Sequence, residues 1–452
     1  MARPNVIVFF TDQQRWDSMA AHGCPLDLTP NLDAAAREGT FLKHLVTCQP
    51  VCGPARACFQ SGQYATRTGC YRNALPLPRN CPTLAGAFNE AGYRTGYIGK
   101  WHLADRDIEG PVPEADRAGY RHWLAANVLE FTSEAYQTRF WNEQNEAVDL
   151  PGYRVDAQTD AAIRWIDAWS REEEPFFLFL SYIEPHHQNR IDDYPPPRGY
   201  RQRYTGRWTP PDLAALGGSS QQHLAGYWGM IRRLDEAYGR LRDALFSLGI
   251  EDNTIVLFTT DHGCHFRTRN DEYKRSCHES SIRLPGVITG PGFQGGGTVD
   301  KVTSLIDLPP TLLDAAGIDI PDTFDGRSIH QYIQHPAGRA DWTDEAFVQI
   351  SEAESGRALT TSRWKYGVTA DWEDSPSSSV YREAHLYDLE SDPYELCNLV
   401  DLQSHAEVCR RLRQRLLAHI AQVEGERPEI QPVGSRTSGQ RFVRPEEFPD
   451  EA

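Results

Sequence analysis

The chain has 452 residues, of which 40% are hydrophobic and 24% are charged, an ordinary composition for a soluble globular protein. Its 63 acidic residues outnumber the 46 basic ones, and the net charge is −17. Because a duplex-binding surface needs a basic stripe and none is visible, we expect no nucleic-acid partner.

The N-terminus leads directly into an apolar, strand-like run at 6–10 and lacks the longer apolar region of a signal peptide. We therefore expect a cytoplasmic protein, or a secreted one if a leader has been removed. No apolar run approaches the ~20 residues of a membrane span, so we expect no membrane insertion. The ten cysteines include no C-x-x-C pair, which predicts reduced and mostly buried thiols.

Predicted strands alternate with predicted helices through most of the chain. The strands are expected at 5–10, 93–98, 176–182 and 254–258, and the helices at 32–37, 83–91, 155–169 and 221–248. This alternation predicts a mainly parallel sheet flanked by helices. The polar segments 104–150 and 184–220 are predicted to be long loops that form walls or lids of a site.

Polar side chains follow each of the four predicted strands. In chain order they are Asp12 and Gln13, then Lys100 and His102, then His186 and His187, and last Asp261 and His262. Because ligands bind outside the carboxyl ends of strands in open α/β sheets, these side chains are expected to converge.

The pattern changes near residue 340. Short strand-like pieces at 346–350, 358–361, 365–368 and 386–389 precede a predicted helix at 405–423. We therefore predict a catalytic domain at 1–340, a small antiparallel sheet with one helix at 341–424, and a polar tail at 425–452.

One short motif carries chemical information. Cys52, Pro54 and Arg56 form the pattern C-x-P-x-R, and Pro54 suits the first turn of a helix. A helix that begins here would place Cys52 at its positive end, where anions bind.

The run Cys52-Gly53-Pro54-Ala55-Arg56, continued by Ser61-Gly62-Gln63-Tyr64 and Arg67-Thr68-Gly69, resembles the signature of the formylglycine-dependent (type I) sulfatases. These enzymes belong to the alkaline phosphatase superfamily. Further matches fall in the family's order at Asp12-Gln13, Gly99-Lys100-Trp101-His102, Pro185-His186, Asp261-His262-Gly263, Lys274 and Arg283-Leu284-Pro285. The resemblance implies a large, mainly parallel sheet of the alkaline-phosphatase type and a smaller C-terminal domain with an antiparallel sheet and a helix.

The resemblance implies that a maturation enzyme oxidises Cys52 to formylglycine, which acts as the hydrated aldehyde. One hydroxyl of this diol would attack sulfur, and the second would let the sulfated intermediate collapse and release sulfate. A serine or cysteine could perform only the first of these steps.

A divalent metal is also implied, with Asp12, Gln13, Asp261, His262 and the modified Cys52 as ligands. Carboxylate and amide oxygens suit Ca²⁺ or Mg²⁺, and we expect Ca²⁺. His262 stands where many relatives carry Asn and would tolerate Mn²⁺ better. Gln13 replaces an Asp of many relatives and removes one negative charge.

The same resemblance assigns positive charge and proton transfer to five further side chains. Arg56 and Lys100 would orient the formylglycine, and His102 would act as the base that releases sulfate. His186 and Lys274 would hold the sulfate and help to protonate the leaving alcohol, while Asp261 would deprotonate the attacking hydroxyl. Either His186 or its neighbour His187 could face the site, and we favour His186.

His187, Lys274 and His278 are expected to contact the substrate, although a solvated turn is an equal alternative for His278. The interpretation that follows is a sulfuric ester hydrolase. The loops that carry Trp123, Trp141, Tyr182 and residues 187–190 suggest a roomy polar pocket, so we favour a small or oligomeric sulfated carbohydrate as substrate.

Two other functions remain open. A phosphonate monoester or phosphodiester hydrolase could be built from the same residues, and a non-catalytic protein could bind sulfated ligands if Cys52 stayed unmodified. A homo-oligomer is compatible with the sequence.

Overall fold

The computed structural model describes residues 3–105, 109–334, 341–436 and 443–450. Its two sheets are a mixed, mainly parallel sheet of eleven strands and a smaller sheet of five strands near the C-terminus. This arrangement confirms the predicted fold class. The predicted domain boundary at 340 lies outside the described residues, and the division into domains stays a prediction.

The larger sheet contains β1 to β11. Their bounds are Asn5–Thr11, Thr40–Val46, Arg94–Lys100, His122–Ala126, Thr138–Asn142, Ala147–Leu150, Phe176–Ser181, Thr254–Thr260, Arg283–Leu284, Val287–Thr289 and Gly297–Ser304. The strand order is β11-β2-β10-β8-β1-β7-β3-β4-β5-β6, and β9 pairs with β2.

The smaller sheet contains β12 to β16, in that order. Their bounds are Glu345–Ile350, Ser355–Thr361, Trp364–Ala370, Val380–Asp388 and Glu429–Gln431. The first four strands pair antiparallel, and β16 pairs parallel to β15.

The described α-helices are numbered α1 to α13. Their bounds are Pro30–Glu38, Cys52–Ser61, Ala65–Thr68, Leu84–Glu90, Leu129–Thr132, Arg154–Trp169, Tyr200–Tyr204, Pro211–Ala215, Ser220–Ser247, Glu279–Ile282, Leu308–Ala315, Ile329–Gln334 and Ala406–Glu424. None of them, within the described ranges, has both the length and the apolar character needed to cross a membrane.

Helices cover both faces of the larger sheet, which explains the continuous apolar runs of its central strands. All seven residues of β1 are buried. On one face, α2, α4 and α11 contribute Phe59, Phe88 and Leu312 to the core. On the other face, α1, α6 and α9 pack against the strands. The central strands are thereby fixed, and the loops at their carboxyl ends are held in place.

The smaller sheet packs against α13, the predicted C-terminal helix. Leu412, Leu416 and Ile420 recur at helical spacing along α13 and are buried against the sheet. The strand β16 lies in the segment that the sequence indicated to be a polar tail. Its three residues are too few to show the alternation of a strand in the sequence. The strand forms by pairing with β15.

The prediction of long loops at 104–150 and 184–220 was wrong in part. The first segment contains β4, α5, β5 and β6, and the second contains α7 and α8. These elements are four or five residues long, so they carry too few residues to show a periodicity. β4 extends the parallel part of the sheet beside β3, and β5 and β6 complete its edge.

Candidate active site

The carboxyl ends of four parallel strands meet at one edge of the larger sheet. The strands β8, β1, β7 and β3 are neighbours in that order and pair in parallel. The polar side chains that follow them line this edge, as predicted from the sequence: Asp12, Gln13, Lys100, His102, His186, Asp261 and His262. All of these except His102 are buried.

Cys52 is the first residue of α2, whose ten residues are all buried. The backbone N of Gly53 donates to Asn73 Oδ1 at 3.0 Å. A Cβ at Gly53 would lie 3.0 Å from that oxygen and 3.4 Å from the His102 carbonyl oxygen, so glycine allows this close approach. Because Cys52 is the first residue of α2, the positive N-terminal end of the helix dipole lies at Cys52.

The thiol of Cys52 is surrounded by polar groups. Lys274 Nζ donates to its Sγ at 2.6 Å, and His262 Nε2 lies 3.2 Å away. Asp12 Oδ1 is at 3.6 Å. Burial by itself would raise the pKa of this thiol, but the charges of Lys100 and Lys274 outweigh burial and hold the pKa well below its usual value.

Arg56 and Lys100 form a buried network with carboxylates. Arg56 Nη2 pairs with Asp12 at 3.0 Å and with Asp261 at 3.2 Å. Lys100 Nζ pairs with Asp12 at 2.9 Å and with Glu130 at 3.2 Å. Although burial disfavours the charged amine, these carboxylates raise the pKa of Lys100 above its ordinary value, so it stays a cation.

Glu130 is a site residue that the sequence did not reveal. It lies on α5, its Oε1 pairs with Lys100, and its Oε2 has no hydrogen-bond partner among the described residues. Burial would raise its pKa, but Lys100, His102 and His186 lower the pKa to about 2. The only sequence signal was one acidic residue in a segment predicted to be a loop.

Four buried donors lie close enough together to hold a metal ion. One atom from each of Asp12, Cys52, Asp261 and His262 lies within 4.8 Å of the others. Burial and the neighbouring charge of Asp12 raise the pKa of Asp261, and its Oδ2, which is 3.2 Å from Arg56 Nη2, accepts no well-aligned hydrogen bond within the described residues. A divalent cation would relieve the repulsion and satisfy this oxygen, so the residues present fit the metal that the resemblance implies.

Gln13 adjoins this group, and its backbone φ is 69°. Its backbone N donates to Asp261 Oδ1 at 3.1 Å, and its Oε1 accepts from the backbone N of His187 at 3.3 Å. Its Nε2 donates to Tyr194 Oη at 2.9 Å. The amide is thus held beside the four donors, and its predicted role as a metal ligand stays a prediction.

The structure distinguishes the two adjacent histidines. His186 lines the cleft above Cys52, and its Nδ1 donates to the carbonyl oxygen of His187 at 2.6 Å, which leaves Nε2 as an acceptor. Burial lowers the pKa of His186 and favours this neutral form. Within the described residues, His187 does not line the cleft, and its ring contacts Asn189 and Asp192.

His278, which we predicted to contact the substrate, is likewise not among the described residues that line the cleft. Its ring nitrogens lie 3.3 Å from Ser276 Oγ and 3.2 Å from Tyr387 Oη, and the ring packs on His385. These contacts hold the side chain at the junction of the two sheets.

The cleft has a volume of about 570 Å³. Its described lining comes from loops and helices beside both sheets and is mostly polar: Cys52, Arg72, Asn73, Ala74, His102, Ala104, Asn127, Val128, Glu130, Phe131, His186, Asn189, Tyr273, Lys274, Arg275, Glu352, Trp372 and Asp374. Ion pairs join Arg72 to Asp374 and Arg275 to Glu352 across the rim. The sequence did not reveal the rim, because its residues are distant in the chain and follow no local pattern.

The expectation that Trp123 and Tyr182 contribute to the pocket was wrong. Both side chains are fully buried, Trp123 on β4 against Tyr97 and Tyr182 just after β7 against Phe9. These two aromatic residues fill the core. Asn189 is the residue from 187–190 that lines the cleft.

Comparison with known proteins agrees with this geometry. Residues 4–318 match the sulfatase family model, and residues 271–422 match the model of the C-terminal region of N-sulphoglucosamine sulphohydrolase. The chain is 30% identical to an ulvan-active sulfatase of Formosa agariphila, over 94% of this chain and 82% of that protein.

Two further proteins support the assignment. An N-acetylglucosamine-6-O-sulfatase of Bacteroides thetaiotaomicron is 25% identical, over 92% of this chain and 86% of its own length. The solved structure of YidJ from Bacteroides fragilis is 23% identical and has the same fold, with a TM-score of 0.80 over 93% of this chain and 96% of that one. The chain therefore belongs to the sulfatase family, a family of sulfuric ester hydrolases within the alkaline phosphatase superfamily.

Proposed function

We propose that this sulfatase removes sulfate from a sulfated carbohydrate and uses Cys52, converted to formylglycine, together with one divalent metal. The observation that carries the proposal is the position of Cys52. It lies at the start of a buried helix, with Lys274 at 2.6 Å and His262 at 3.2 Å, beneath a polar cleft. Formylglycine at this position would supply a diol hydroxyl as the nucleophile.

The metal would be held by Asp12, Asp261 and His262, with the side chain at position 52 as a further donor. Its charge would favour the ionised hydroxyl and an oxygen of the sulfate group. Two carboxylates suit Ca²⁺, which remains our first expectation, and the imidazole of His262 keeps Mg²⁺ and Mn²⁺ as alternatives.

The side chains of the cleft can bind and orient a sulfate ester. Lys274 Nζ contacts the Sγ atom of Cys52. The same ammonium group can therefore bind an oxygen of a sulfate group attached to the side chain at position 52. Arg56 holds the carboxylates of Asp12 and Asp261 in place. Lys100 adds positive charge that remains at neutral pH, because its carboxylate partners raise its pKa.

Two histidines of the cleft lining are our candidates for proton transfer. His186 is directed by its hydrogen bond to the His187 carbonyl and presents its other nitrogen as an acceptor. His102 lines the cleft, and its buried Nδ1 has no hydrogen-bond partner among the described residues. Either imidazole can exchange a proton with a hydroxyl at its free nitrogen.

The lining of the cleft supports a carbohydrate as the substrate. A volume of about 570 Å³ is within the range of small-molecule sites. The side-chain amide Nδ2 groups of Asn73 and Asn189 offer hydrogen-bond donors suited to sugar hydroxyls, and Trp372 offers an aromatic surface at the rim. One curated relative is named for the removal of a sugar 6-O-sulfate.

The test is to compare kcat/KM for a sulfated monosaccharide, an aryl sulfate and a phosphonate monoester on one preparation of matured enzyme. The Cys52→Ala variant sets the background. The proposal expects the sulfated sugar to be the best substrate. Preference for the phosphonate monoester would favour the alternative hydrolase, and tight binding of sulfated sugars without turnover would favour a binding protein.

A further inference from the structure

A second group of potential metal ligands lies outside the Cys52 site. It consists of His187, which follows β7, Asp192 in the next turn, and His223 in the first turn of α9. One donor atom of each lies within 4.8 Å of the other two. His187 and His223 are buried, while the Asp192 side chain is 58% exposed.

One tautomer of His187 has the contacts expected of a metal ligand. Its Nδ1 lies 3.1 Å from Asn189 Oδ1, and its Nε2 lies 3.0 Å from Asp192 Oδ1. A ligating imidazole commonly donates its other N–H to a carbonyl or carboxylate oxygen. In the tautomer that donates Nδ1–H to Asn189, the unprotonated Nε2 and the Asp192 oxygen are two acceptors that face each other; in the other tautomer, Nε2–H donates to Asp192. Two ligands of one tetrahedral zinc ion lie at a similar separation, about 3.3 Å.

His223 provides an independent observation. Its buried Nδ1 has no hydrogen-bond partner among the described residues, and the nearest carboxylate oxygen, Asp193 Oδ1, is 4.0 Å away. Its Nε2 lies 3.9 Å from Asp192 Oδ1. A buried imidazole nitrogen without a hydrogen bond costs free energy, and a cation bound at Nδ1 of His223 would remove that cost.

The surroundings of the group suit a dication. Tyr194 and Tyr273 pack against His187, and Tyr194 also packs against His223, so the two imidazoles are shielded from water. Asp193 Oδ2 pairs with Arg201 at 2.6 Å, and its Oδ1 lies 4.0 Å from His223 Nδ1 and adds negative charge beside the group.

We propose that His187, Asp192 and His223 bind one zinc-type transition-metal ion, separate from the cation at Asp12 and Asp261. Two imidazoles and one carboxylate favour Zn²⁺ over Ca²⁺ or Mg²⁺, which prefer oxygen ligands. The ion would fix the turn between β7 and α7. His186 in this turn lines the cleft, and the His187 backbone N holds Gln13. The proposal of a zinc site at His187, Asp192 and His223 does not depend on which ester the enzyme hydrolyses.

The test is the zinc content per chain after equilibration with ZnCl2 and excess CaCl2, followed by removal of free metal. The same measurement is made on His223→Gln and Asp192→Asn. We expect the wild type to hold one more zinc than either variant, whose affinity at this site falls at least ~100-fold. Because both variants keep the Cys52 site, any zinc bound there cancels in the difference.

His330→Gln is the matched control. His330 Nδ1 lies 3.2 Å from Asp314 Oδ2, but no third metal-ligating side chain within the described ranges joins this pair. Its zinc content should equal that of the wild type. Equal zinc in the wild type, His223→Gln and Asp192→Asn would overturn the proposal, as would an equal loss in His330→Gln. Asp192→Asn changes an exposed side chain, so misfolding would not explain its loss of zinc.

Discussion

Two buried clusters in this molecule have the same composition, one lysine with two carboxylates, but different surroundings. The cleft cluster consists of Lys100, Asp12 and Glu130. The junction cluster consists of Lys365 on β14, Glu279 on α10, and Glu395, with Lys365 Nζ 2.5 Å and 2.9 Å from the two carboxylates. Both lysines are fully buried.

The clusters differ in what they face. The cleft cluster adjoins Cys52, Lys274 and an open volume of about 570 Å³. The junction cluster joins the two sheets, and Glu395 Oε2 accepts from the backbone N of Glu279 at 2.6 Å. None of the three residues of the junction cluster is among the described residues that line the cleft. A buried network of ion pairs therefore does not by itself identify a catalytic site. The cleft cluster is distinguished by its position next to a cavity large enough for a ligand.

The largest expected effect comes from the nucleophile of the cleft. Cys52→Ala removes it, so kcat for sulfate ester hydrolysis should fall at least ~10⁴-fold. Cys397→Ala, which changes an exposed cysteine, should keep wild-type activity. Substantial turnover by Cys52→Ala would show that another group attacks the ester.

Removal of the metal should have the next largest effect. Dialysis against a chelator should lower kcat by ~100-fold or more, because the charge that offsets Asp12 and Asp261 is lost. Addition of Ca²⁺ should restore activity in parallel with metal content. Full activity in a preparation shown to hold no divalent metal would contradict the assigned site.

Lys274→Met removes the ammonium next to Cys52 Sγ and should lower kcat by ~10²–10³-fold. The thermal unfolding midpoint should change little relative to this loss, since the side chain faces the cleft. A variant that keeps wild-type kcat would exclude Lys274 from the reaction.

Lys365→Met makes the matched change in the junction cluster. Two buried carboxylates lose their cation, so the free energy of unfolding should fall by ~3–5 kcal/mol. The kcat of the folded fraction should remain near that of the wild type. A loss of kcat as large as that of Lys274→Met would remove the distinction between the clusters.

The smallest effect concerns pH. Burial raises the pKa of Glu395 to about 7, and the charge of Glu279 adds to this although Lys365 opposes it. The folded state therefore binds the proton more tightly than the unfolded state, and this carboxyl's contribution to stability falls as pH rises from about 4.5 to 7.

Glu395→Gln should remove this dependence, so the variant should gain stability relative to the wild type between pH 5 and pH 8. Denaturant unfolding at both pH values measures the difference. Glu390→Gln, a change at an exposed side chain, should show no such gain. A parallel response of wild type and Glu395→Gln would refute the raised pKa.

The sequence predicted the site residues that follow strands. Asp12, Lys100, His186 and Asp261 could be placed together because parallel strands bring their carboxyl ends to one edge. Glu130 could not, since it lies on a four-residue helix without periodicity. Trp123 was misassigned to the pocket, because an aromatic residue in a polar segment gives no sign of which side it faces.

The rim of the cleft and the second ligand group escaped prediction for a related reason. Arg72 and Asp374, like His187 and His223, meet only when distant segments pack. Contacts between residues that are distant in the chain produce no local pattern in a single sequence. The cytoplasmic location, the homo-oligomer and the maturation enzyme stay predictions.

The central claim is that Cys52 is the precursor of the nucleophile, and mass spectrometry of the peptide that contains it tests this most directly. Protein from its native host should show a loss of about 18 Da relative to cysteine, the mass difference of formylglycine. A thiol of unchanged mass in active enzyme would contradict the proposed mechanism.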